Sequence, residues 1–381
     1  MHVMQIGFFL DARRRSPTQL LDDWHSLEDV AAAVASAGIR VTVVQANHLP
    51  GEVARRGVDF VFMEPETPDT SLAHSAAFRS LLRERAPDVL HVHGLGFPRD
   101  VLALRSLVPD LPILLQDHAD RPPPFWRRPA WRRAATAVDG VAFCARAQAE
   151  PFARAGLLPR HVGVFEVPES TSAFAPGDAA AARAATGIRG DPAVLWVGHL
   201  DRNKDPLTVL DGVAAAVADL PGLQLSCCYG TAPLLAAVEA RIARDPALRD
   251  RVHLLGRVPH ERIEQLMQAA DLFVLGSHRE GSSFALIEAL ATGLTPVVTD
   301  IPSLRALTGN GAVGALWPCG DSRALAGALR HAAASLGPRG RATVRAHFDA
   351  HLSGAALGRR FAAAYRELLA LRAPAASRVR V

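Results

Sequence analysis

The side chain best suited to hold a phosphate is Lys204, the only lysine in a chain whose lysines and arginines together number 42. It lies in a glycine-containing loop, Gly198 to Pro206, between a hydrophobic strand and a helix. An ammonium group is a compact charge on a flexible stem, whereas a guanidinium is a planar fork. A loop that must place one cation against a phosphate oxygen can therefore select lysine. A chance surface lysine is the alternative interpretation.

A second segment, residues 270–299, has the pattern of strand, loop, helix and strand. Its two ends are short apolar runs typical of buried strands. Ser282 and Ser283 precede a helix-forming run that Gly293 ends, and both serines are candidate N-caps. Because a helix N-terminus of this kind offers free backbone N–H groups to an anion, the segment predicts a second phosphate contact.

Two carboxylates flank this predicted phosphate site. Glu280 lies in the loop and Glu288 follows eight positions later in the helix. A carboxylate repels a phosphate, so both fit better as acceptors of hydrogen bonds from the hydroxyls of a sugar and a ribose. A nucleotide sugar has this layout of ribose, diphosphate and sugar. The alternative is a solvated loop charge for Glu280 and an exposed helix residue for Glu288.

Together these motifs resemble the retaining, nucleotide-sugar-dependent glycosyltransferases of family 4, which have the GT-B fold. The likeness is strongest over residues 193–330, where four motifs occur in the order of the family. They are the phosphate loop 194–206, the strand and turn beside the base at 252–258, the Glu-x7-Glu signature 280–288, and the segment 291–298. Over residues 1–170 the likeness is looser and rests on Asp88 to Gly94 and on the strand from Ile113 to His118.

The resemblance implies that a nucleotide-diphosphate sugar is the donor substrate and that no other cofactor is needed. It implies three catalytic residues, Lys204, Glu280 and His118, of which His118 matches a family histidine that approaches the donor sugar. The implied donor-binding residues are Gly198, His199, Arg202, Gly256, Arg257, Gly281, Ser282, Ser283, Phe284, Ala285, Leu286 and Glu288. On the acceptor side we expect His93 and Gly94, at the carboxyl end of a predicted strand, with His91 as a further candidate.

Breaking the sugar–phosphate bond leaves extra negative charge on the diphosphate, and fixed donors aimed at that charge promote the reaction. Lys204, Arg202 and the N–H groups of about 283–285 are the candidates. No Asp-x-Asp sequence occurs in the chain, so we predict no metal site. The resemblance implies retention by front-face attack, in which an oxygen of the diphosphate takes the proton of the acceptor.

Strands and helices alternate along the whole chain, which predicts an α/β protein with parallel sheets. With the resemblance, the expected fold is GT-B, two Rossmann-like doubly wound parallel-sheet domains facing a cleft. We expect an N-terminal acceptor-side domain at 1–170, a linker at 171–192 and a nucleotide-sugar-binding domain at 193–350. Within 351–381 we expect a helix that crosses back to the first domain, followed by a basic tail.

The chain departs from the family pattern at two places. His199 stands where the family usually has arginine, which weakens one phosphate cation or makes it dependent on pH. The segment from Asp11 to Pro17 lacks the glycines of the family loop, and Arg13–Arg15 could replace its contacts, although adjacent arginines are more often solvated. A nucleotide-sugar-binding protein without turnover is therefore one alternative, and a GT-B epimerase is another. A phosphorylase is disfavoured because no second lysine could hold pyridoxal phosphate.

Composition bears on partners and location. The formal net charge of +4 is small for 381 residues and does not predict nucleic-acid binding. The first residues show no cationic segment or cleavage site, and no apolar run approaches the ~20 residues of a membrane-spanning helix. Four cysteines form neither a disulfide pattern nor a zinc motif. We expect a cytoplasmic protein whose acceptor is an unknown glycan, lipid or small molecule.

One cluster remains open in its interpretation. The segment from Arg121 to Arg133 interleaves five arginines with three aromatic residues and contains no acidic residue. Such a mixture suits peripheral contact with the inner face of a membrane, or an anionic acceptor. The favoured interpretation is a helix that begins near a proline, with its tryptophans packed inward and its arginines in water.

Overall fold

The computed structural model describes residues 1–66, 71–116, 118 and 121–372. The chain divides into two compact units, one of Met1–Thr171 together with the terminal segment from Gly354, and one of Ser172–Ser353. Two features predicted from the sequence lie outside the described residues. They are Asp117, at the end of a predicted strand, and the basic tail beyond Arg372.

The first unit is built on one sheet. Its described strands are β1 (His2–Gly7), β2 (Arg40–Ala46), β3 (Gly51–Arg55), β4 (Val58–Met63), β5 (Val89–His93), β6 (Ile113–Gln116), β7 (Gly140–Phe143) and β8 (Gly163–Glu166). They lie in the order β3-β4-β2-β1-β5-β6-β7-β8. Neighbouring strands are parallel except at one edge, where β3 and β4 form an antiparallel hairpin that the sequence analysis does not predict.

Helices in this unit bury the sheet on both faces. They are α1 (Pro17–Asp23), α2 (His25–Ser36), α3 (Ala76–Arg85), α4 (Pro98–Leu107), α5 (Arg128–Ala135) and α6 (Ala149–Arg154), with 3-10 turns at Leu72–His74, Phe125–Arg127 and Arg146–Gln148. Leu90 and Val92 of β5 belong to one core, and Val89 belongs to the core on the other face. Successive side chains of a strand point to opposite faces, so the adjacent apolar residues Val89 and Leu90 fit a sheet covered on both sides.

The second unit contains a wholly parallel sheet. Its described strands are β9 (Ala193–Gly198), β10 (Gln224–Tyr229), β11 (Val252–Gly256), β12 (Leu272–Leu275), β13 (Thr295–Thr299) and β14 (Ala315–Trp317). They lie in the order β11-β10-β9-β12-β13-β14. The strand order therefore reverses between β9 and β12, which makes this point of the sheet the place where a ligand is expected.

The helices of the second unit include one that the sequence analysis does not predict. They are α7 (Ala179–Thr186), α8 (Pro206–Ala216), α9 (Leu235–Arg244), α10 (Pro246–Arg249), α11 (His260–Ala269), α12 (Phe284–Ala291), α13 (Pro302–Leu307), α14 (Ser322–Ala334) and α15 (Pro338–His351). Helix α7 lies inside the segment 171–192 that was expected to be a linker, and it packs against α11. The Asp178 side chain caps its first turn, and Arg183 pairs with Asp271 at 2.5 Å.

The last described helix, α16 (Gly354–Arg372), belongs to the first unit and packs against α2. Phe361, Tyr365 and Leu368 are fully buried in the same core as the strand residues of that unit. The two helices approach so closely that a Cβ atom at Gly358 would overlap the carbonyl oxygen of Ala33. The absence of a side chain at Gly358 therefore sets the distance between the helices.

We expect Gly358→Ala to destabilise the first unit by about 1–3 kcal/mol, because the added methyl group overpacks the contact with α2. The matched control is Gly327→Ala in the interior of α14, where the nearest neighbouring atom would lie 3.8 Å from the new Cβ. This control should stabilise the second unit by about 0.8–1.0 kcal/mol, because alanine favours a helix interior over glycine. Calorimetric unfolding measures both changes, and the same sign in both variants would contradict the close approach of α16 to α2.

Candidate active site

The two loops that carry the main sequence motifs leave adjacent strands at the reversal point of the second sheet. The loop with Lys204 follows β9, and the loop with Glu280 follows β12. The two strands are parallel, with Leu272 paired to Val194. Their carboxyl ends therefore meet at one edge, and residues 76 positions apart in sequence come together there.

Hydrogen bonds hold these two loops against each other. The backbone N–H of His278 donates to the carbonyl oxygen of Asn203 at 2.8 Å, and the side-chain amide of Asn203 donates to the carbonyl oxygen of Arg279 at 3.0 Å. The Nε2 atom of His278 lies 2.9 Å from a carboxylate oxygen of Asp205. The other oxygen of Asp205 accepts from the N–H of Thr208 and caps α8.

Lys204 and Glu280 form an ion pair between the Nζ atom and the carboxylate. Their side chains are only 15% and 11% exposed, and the hydroxyl of Ser277 donates to the same carboxylate oxygen at 2.6 Å. The sequence analysis gave the two charges separate partners, a phosphate and a sugar hydroxyl. Because the structure joins them, a phosphate that binds Lys204 must share or displace its carboxylate partner.

A cavity of about 710 Å³ opens beside this ion pair, within the range of about 300–1,000 Å³ typical of ligand pockets. The residues of the predicted donor site that line it are Gly198, His199, Lys204, Arg257, Glu280, Ser282, Ser283, Phe284 and Ala285. The cavity thus brings together residues from the carboxyl ends of β9, β11 and β12.

Other residues of the predicted donor site lie outside this lining. Arg202 is exposed on the loop, whereas the side chain of Leu286 is fully buried in the core. Gly256 is the last residue of β11 and has a φ of 69°, and Gly281 precedes the serines of the loop. Leu286 is the third residue of α12, and its side chain points inward because it packs against the sheet. Only the backbone of Leu286 is therefore available to a ligand.

The N-terminus of α12 faces the cavity with unused donors. The Ser283 hydroxyl accepts from the N–H of Leu286 at 3.4 Å, and the first N–H groups of the helix, those of Phe284 and Ala285, have no intrahelical acceptor. Ser282 is only 8% exposed, and its hydroxyl makes no hydrogen bond within the described part of the chain. An orphaned buried hydroxyl is costly, and an anion at the helix start would supply its partner.

His199 lines the cavity. The backbone N–H of Thr231 donates to its Nδ1 atom at 3.2 Å. In this arrangement Nε2 is the ring nitrogen left to face a ligand as an N–H donor. The histidine that replaces the usual family arginine therefore offers a single ring N–H in place of a guanidinium fork.

Glu288, the second carboxylate of the signature, pairs with His260 at the first residue of α11. The distance between the carboxylate and Nε2 is 2.7 Å, and this hydrogen bond raises the pKa of His260. The ring of Phe174 lies 5.0 Å from the imidazole. The sequence analysis missed His260. The available signal was its position directly after the turn predicted to lie beside the base.

In the first unit, His118 is paired with a buried carboxylate that the sequence analysis missed. Its Nδ1 atom lies 3.1 Å from Glu169, whose side chain is only 5% exposed. The second carboxylate oxygen of Glu169 has no hydrogen-bond partner among the residues described. A lone glutamate after a proline has no local signature, and only the fold reveals that it orients the imidazole.

His93 stacks on His118 at the carboxyl edge of this sheet. Their ring centroids are 5.6 Å apart, and Nδ1 of His93 lies 3.4 Å from Nε2 of His118. Burial lowers the pKa of His93 well below its usual value, and the neighbouring histidines add to the effect. Gly94 follows with φ of 86°, a conformation that glycine adopts without strain.

His91 is fully buried and has a structural partner. Its Nδ1 atom lies 2.8 Å from the hydroxyl of Tyr365 on α16. Burial lowers the pKa of His91 to about 3, so the ring is neutral at physiological pH. The structure therefore places His91 in the core and not on the acceptor side.

The arginines of the loop after β1 differ in their surroundings. Arg15 is only 13% exposed and pairs with Asp11 at 2.8 Å and with Asp23 at 2.6 Å. Arg13 and Arg14 are exposed. Because its charge is balanced by two carboxylates, Arg15 stabilises the loop, and of the three arginines only Arg13 and Arg14 extend into solvent.

Two features are absent from the described ranges. No group of three or more His, Cys, Asp or Glu side chains is arranged to hold a metal ion. Among the same residues, no helix combines the length and the apolar character that a membrane span requires.

Two sequence families match this chain. Residues 191–335 match glycosyl transferases group 1, and residues 25–165 match glycosyltransferase family 4. The two matches fall in different units and together span about three quarters of the chain.

Curated relatives match parts of the chain. A GDP-mannose:cellobiosyl-diphosphopolyprenol alpha-mannosyltransferase from Xanthomonas campestris is 28% identical over 226 residues, which are 57% of each chain. A D-inositol 3-phosphate glycosyltransferase from Nocardia farcinica is 31% identical over 38% of this chain and 33% of that protein. The matches thus cover little more than half of the first relative and a third of the second.

Solved structures match nearly the whole chain in fold. Sucrose-phosphate synthase from Thermosynechococcus elongatus is 18% identical, with a TM-score of 0.69 over 97% of this chain and all of that one. HepE from Anabaena in complex with UDP is 17% identical, with a TM-score of 0.68 over 96% of this chain and all of that one. The fold is GT-B, and the chain belongs to the family 4 glycosyltransferases.

Proposed function

We propose that this protein transfers a hexose from a nucleotide-diphosphate sugar to an acceptor hydroxyl, with retention of anomeric configuration. The observation that carries the proposal is the buried Lys204–Glu280 pair beside a cavity at the reversal point of a parallel sheet. The Xanthomonas relative is named for a GDP-mannose donor, and the Anabaena structure contains UDP. Both names support a nucleotide-linked donor in this cavity.

The diphosphate is proposed to lie between Lys204 and the N-terminus of α12. Lys204 supplies a cation, while the hydroxyl of Ser282 and the N–H groups of Phe284 and Ala285 supply hydrogen bonds. These donors stabilise the charge that grows on the leaving diphosphate. The protein thereby supplies the stabilisation itself, and we propose that the reaction needs no metal ion.

The two carboxylates are proposed to hold the two ends of the donor. Glu280 accepts a hydrogen bond from the transferred sugar, and Glu288 accepts from the ribose. Both carboxylates already have a partner, Lys204 and His260 respectively. Donor binding therefore exchanges a contact within the protein for a contact with the ligand at each end.

In the first unit, His118 is proposed as a catalytic residue, with His93 and Gly94 on the acceptor side. Glu169 acts as a positioning residue, because its carboxylate fixes the Nδ1 side of His118. A buried carboxylate in this place selects one tautomer and one ring orientation. The ring of His118 is then held in one orientation with its Nε2 atom available, so it loses no further rotational freedom during the reaction.

A binding protein without turnover is the second candidate function, and His199 favours it because a histidine stands where the family usually has a permanently charged arginine. A panel of nucleotide sugars tested for thermal stabilisation and for slow donor hydrolysis separates the candidates. Hydrolysis of a stabilising donor supports the transferase. Stabilisation without hydrolysis, and without transfer to a broad set of acceptors, would favour the binding protein.

Lys204→Ala should lower kcat by about 10²–10³, comparable to the loss of one preformed donor to a developing oxyanion. Affinity for the nucleoside diphosphate should fall as well, because part of that charge is present before reaction. Lys204→Arg keeps the charge but changes the head-group, so it should recover only part of the activity. Steady-state kinetics and calorimetric titration measure these effects.

The matched control is Arg330→Ala, which removes a cation from an exposed pair with Asp219 in the same unit. It should leave kcat and affinity unchanged, because exposed pairs contribute little. Full activity in Lys204→Arg would show that the geometry of the lysine is irrelevant to catalysis.

Glu280→Gln should separate sugar recognition from diphosphate recognition. The substitution removes the charge that occupies Lys204 in the free protein, so affinity for the nucleoside diphosphate should be unchanged or tighter. Turnover of the nucleotide sugar should be impaired. The change should appear as a higher KM if Glu280 binds the sugar equally in the ground state and the transition state, and as a lower kcat if Glu280 orients the anomeric carbon. Weaker binding of the free nucleoside diphosphate would sink the assignment of Glu280 to the sugar.

Nucleotide-sugar affinity should rise with pH, starting near the ordinary histidine value of 6.5. The Glu288 hydrogen bond raises the pKa of His260 above that value in the free protein, and the charges of Glu261 and Glu264 add to it. When the ribose takes Glu288, the pKa of His260 falls and a proton is released. Protonated His260 therefore competes with the donor, and the competition ends above its raised pKa.

Calorimetric titration with a nucleotide sugar between about pH 6 and pH 8 tests this linkage, because the diphosphate of such a donor does not titrate in that range. His260→Gln should flatten the profile. His253→Gln, which alters an exposed histidine bonded to Gln224 at 3.1 Å, should keep the slope. A profile of the opposite slope would contradict the contact between Glu288 and the ribose.

A further inference from the structure

An exposed aromatic cluster lies in the first unit, between β6 and α5. Phe125 and Trp126 are 73% and 67% exposed, whereas Trp131 is only 8% exposed. The interpretation that the tryptophans pack inward is therefore correct for Trp131 and wrong for Trp126. Two large aromatic side chains remain in water next to several arginines, and nothing in the core of the unit requires them there.

Trp126 forms one wall of a cavity of about 800 Å³. The segment from Leu95 to Asp100 forms another wall, and the buried rings of Trp131 and Phe152 belong to the lining. Phe125, although more exposed than Trp126, does not line the cavity. The cavity thus has an aromatic interior that is distinct from the outer surface of the cluster.

The position of the cavity relates it to the acceptor-side residues of the same unit. One wall follows β5, which ends at His93, and the other follows β6, which precedes His118. These two strands are parallel neighbours, so both walls lie at the carboxyl edge of the sheet. This is the edge at which doubly wound sheets bind ligands.

The charges around the cavity favour an anion. Three arginines line the cavity, Arg99, Arg121 and Arg127, whereas Asp100 is the one acidic residue among the lining residues described. Helix α4 begins at the cavity without a side-chain cap, so its first N–H groups add to the positive potential.

Two other arginines of the cluster have different roles. Arg128 donates to the carbonyl oxygen of Pro123 at 3.2 Å, and Arg132 donates to that of Ala155 at 3.1 Å. These contacts anchor the segment to the unit. The arginines that line the cavity are thus separate from those that hold the cavity wall in place.

Given the transferase function proposed above, we propose that this cavity binds the acceptor and that the acceptor is a hydroxyl-bearing molecule carried on a lipid phosphate or lipid diphosphate. The aromatic interior takes the apolar chain next to the phosphate, and Arg99 and Arg127 take the phosphate oxygens. Guanidinium forks match phosphate geometry, and aromatic rings suit the adjoining hydrocarbon. A free sugar or an inorganic anion would use only half of this lining.

Calorimetric titration of the full chain with farnesyl diphosphate, below its micelle concentration, tests the proposal. A saturating nucleoside diphosphate occupies the cavity of the second unit during the titration. We expect saturable binding at one site, with inorganic diphosphate and farnesol each at least about tenfold weaker, since each lacks one of the two contacts.

Matched variants locate the bound probe. Trp126→Ala and Arg127→Ala should each weaken binding by about tenfold, the loss of one apolar contact or of one hydrogen bond to a charged group. Phe125→Ala and Arg133→Ala alter exposed side chains of the same cluster that do not line the cavity, and they should bind normally. All four side chains are exposed, and thermal unfolding verifies that each variant folds.

Three results would overturn the proposal. If inorganic diphosphate binds as tightly as farnesyl diphosphate, the cavity is an anion site that does not recognise the lipid chain. An equal loss in Phe125→Ala and Arg133→Ala would assign lipid binding to the outer surface, as in membrane contact. An absence of saturable binding would show that the cavity does not bind a lipid phosphate or lipid diphosphate.

Hydrolysis of the donor by water, measured in the unsubstituted protein without an acceptor, separates this proposal from the proposed function. Hydrolysis without farnesyl diphosphate binding would reject the acceptor class and leave the transferase standing. Probe binding by a protein that neither binds nor hydrolyses any nucleotide sugar would reject the transferase, and with it the role of this cavity as an acceptor site.

Discussion

The site depends on a salt bridge that brings together two distant parts of the sequence. Lys204 and Glu280 are both largely buried, and each would be costly to desolvate alone. The pair can exist only because β9 and β12 are neighbours and because hydrogen bonds from Asn203 and His278 hold their loops together. A ligand with one negative end and one hydroxyl-bearing end can replace the pair, because the negative end binds Lys204 and the hydroxyl donates a hydrogen bond to Glu280. The free protein thereby keeps its site organised at the cost of competing with its own ligand.

Local patterns predicted much of this fold because strongly periodic segments specify their own structure. The helix expected between Ser283 and Gly293 is α12, and the terminal helix expected within 351–381 is α16. The hairpin of β3 escaped prediction because its five residues lack a buried apolar face and include Gly51, Glu52 and Ala54, which are uncommon in strands. Helix α7 escaped because an alanine-rich run between glycines and prolines is also typical of a linker.

The candidate site was less predictable than the fold because its contacts depend on strand order. Residue types indicated that Lys204 and Glu280 were suited to a donor, but no local pattern could show that they touch. The same holds for Glu169, which meets His118 across 51 positions, and for His260, which meets Glu288 across 28. These contacts are set by the packing of the whole sheet, and a local sequence pattern does not contain that information.

The first unit is assembled from two stretches that the second unit separates in the sequence. A ribosome that makes this chain releases residues 172–353 before it releases α16. The second unit can therefore complete its core while the first still lacks the wall supplied by Phe361, Tyr365 and Leu368. Domains usually mature in the order of their synthesis, and here that order is reversed for the final step. During translation, the incomplete first unit exposes the apolar surface that α16 later covers.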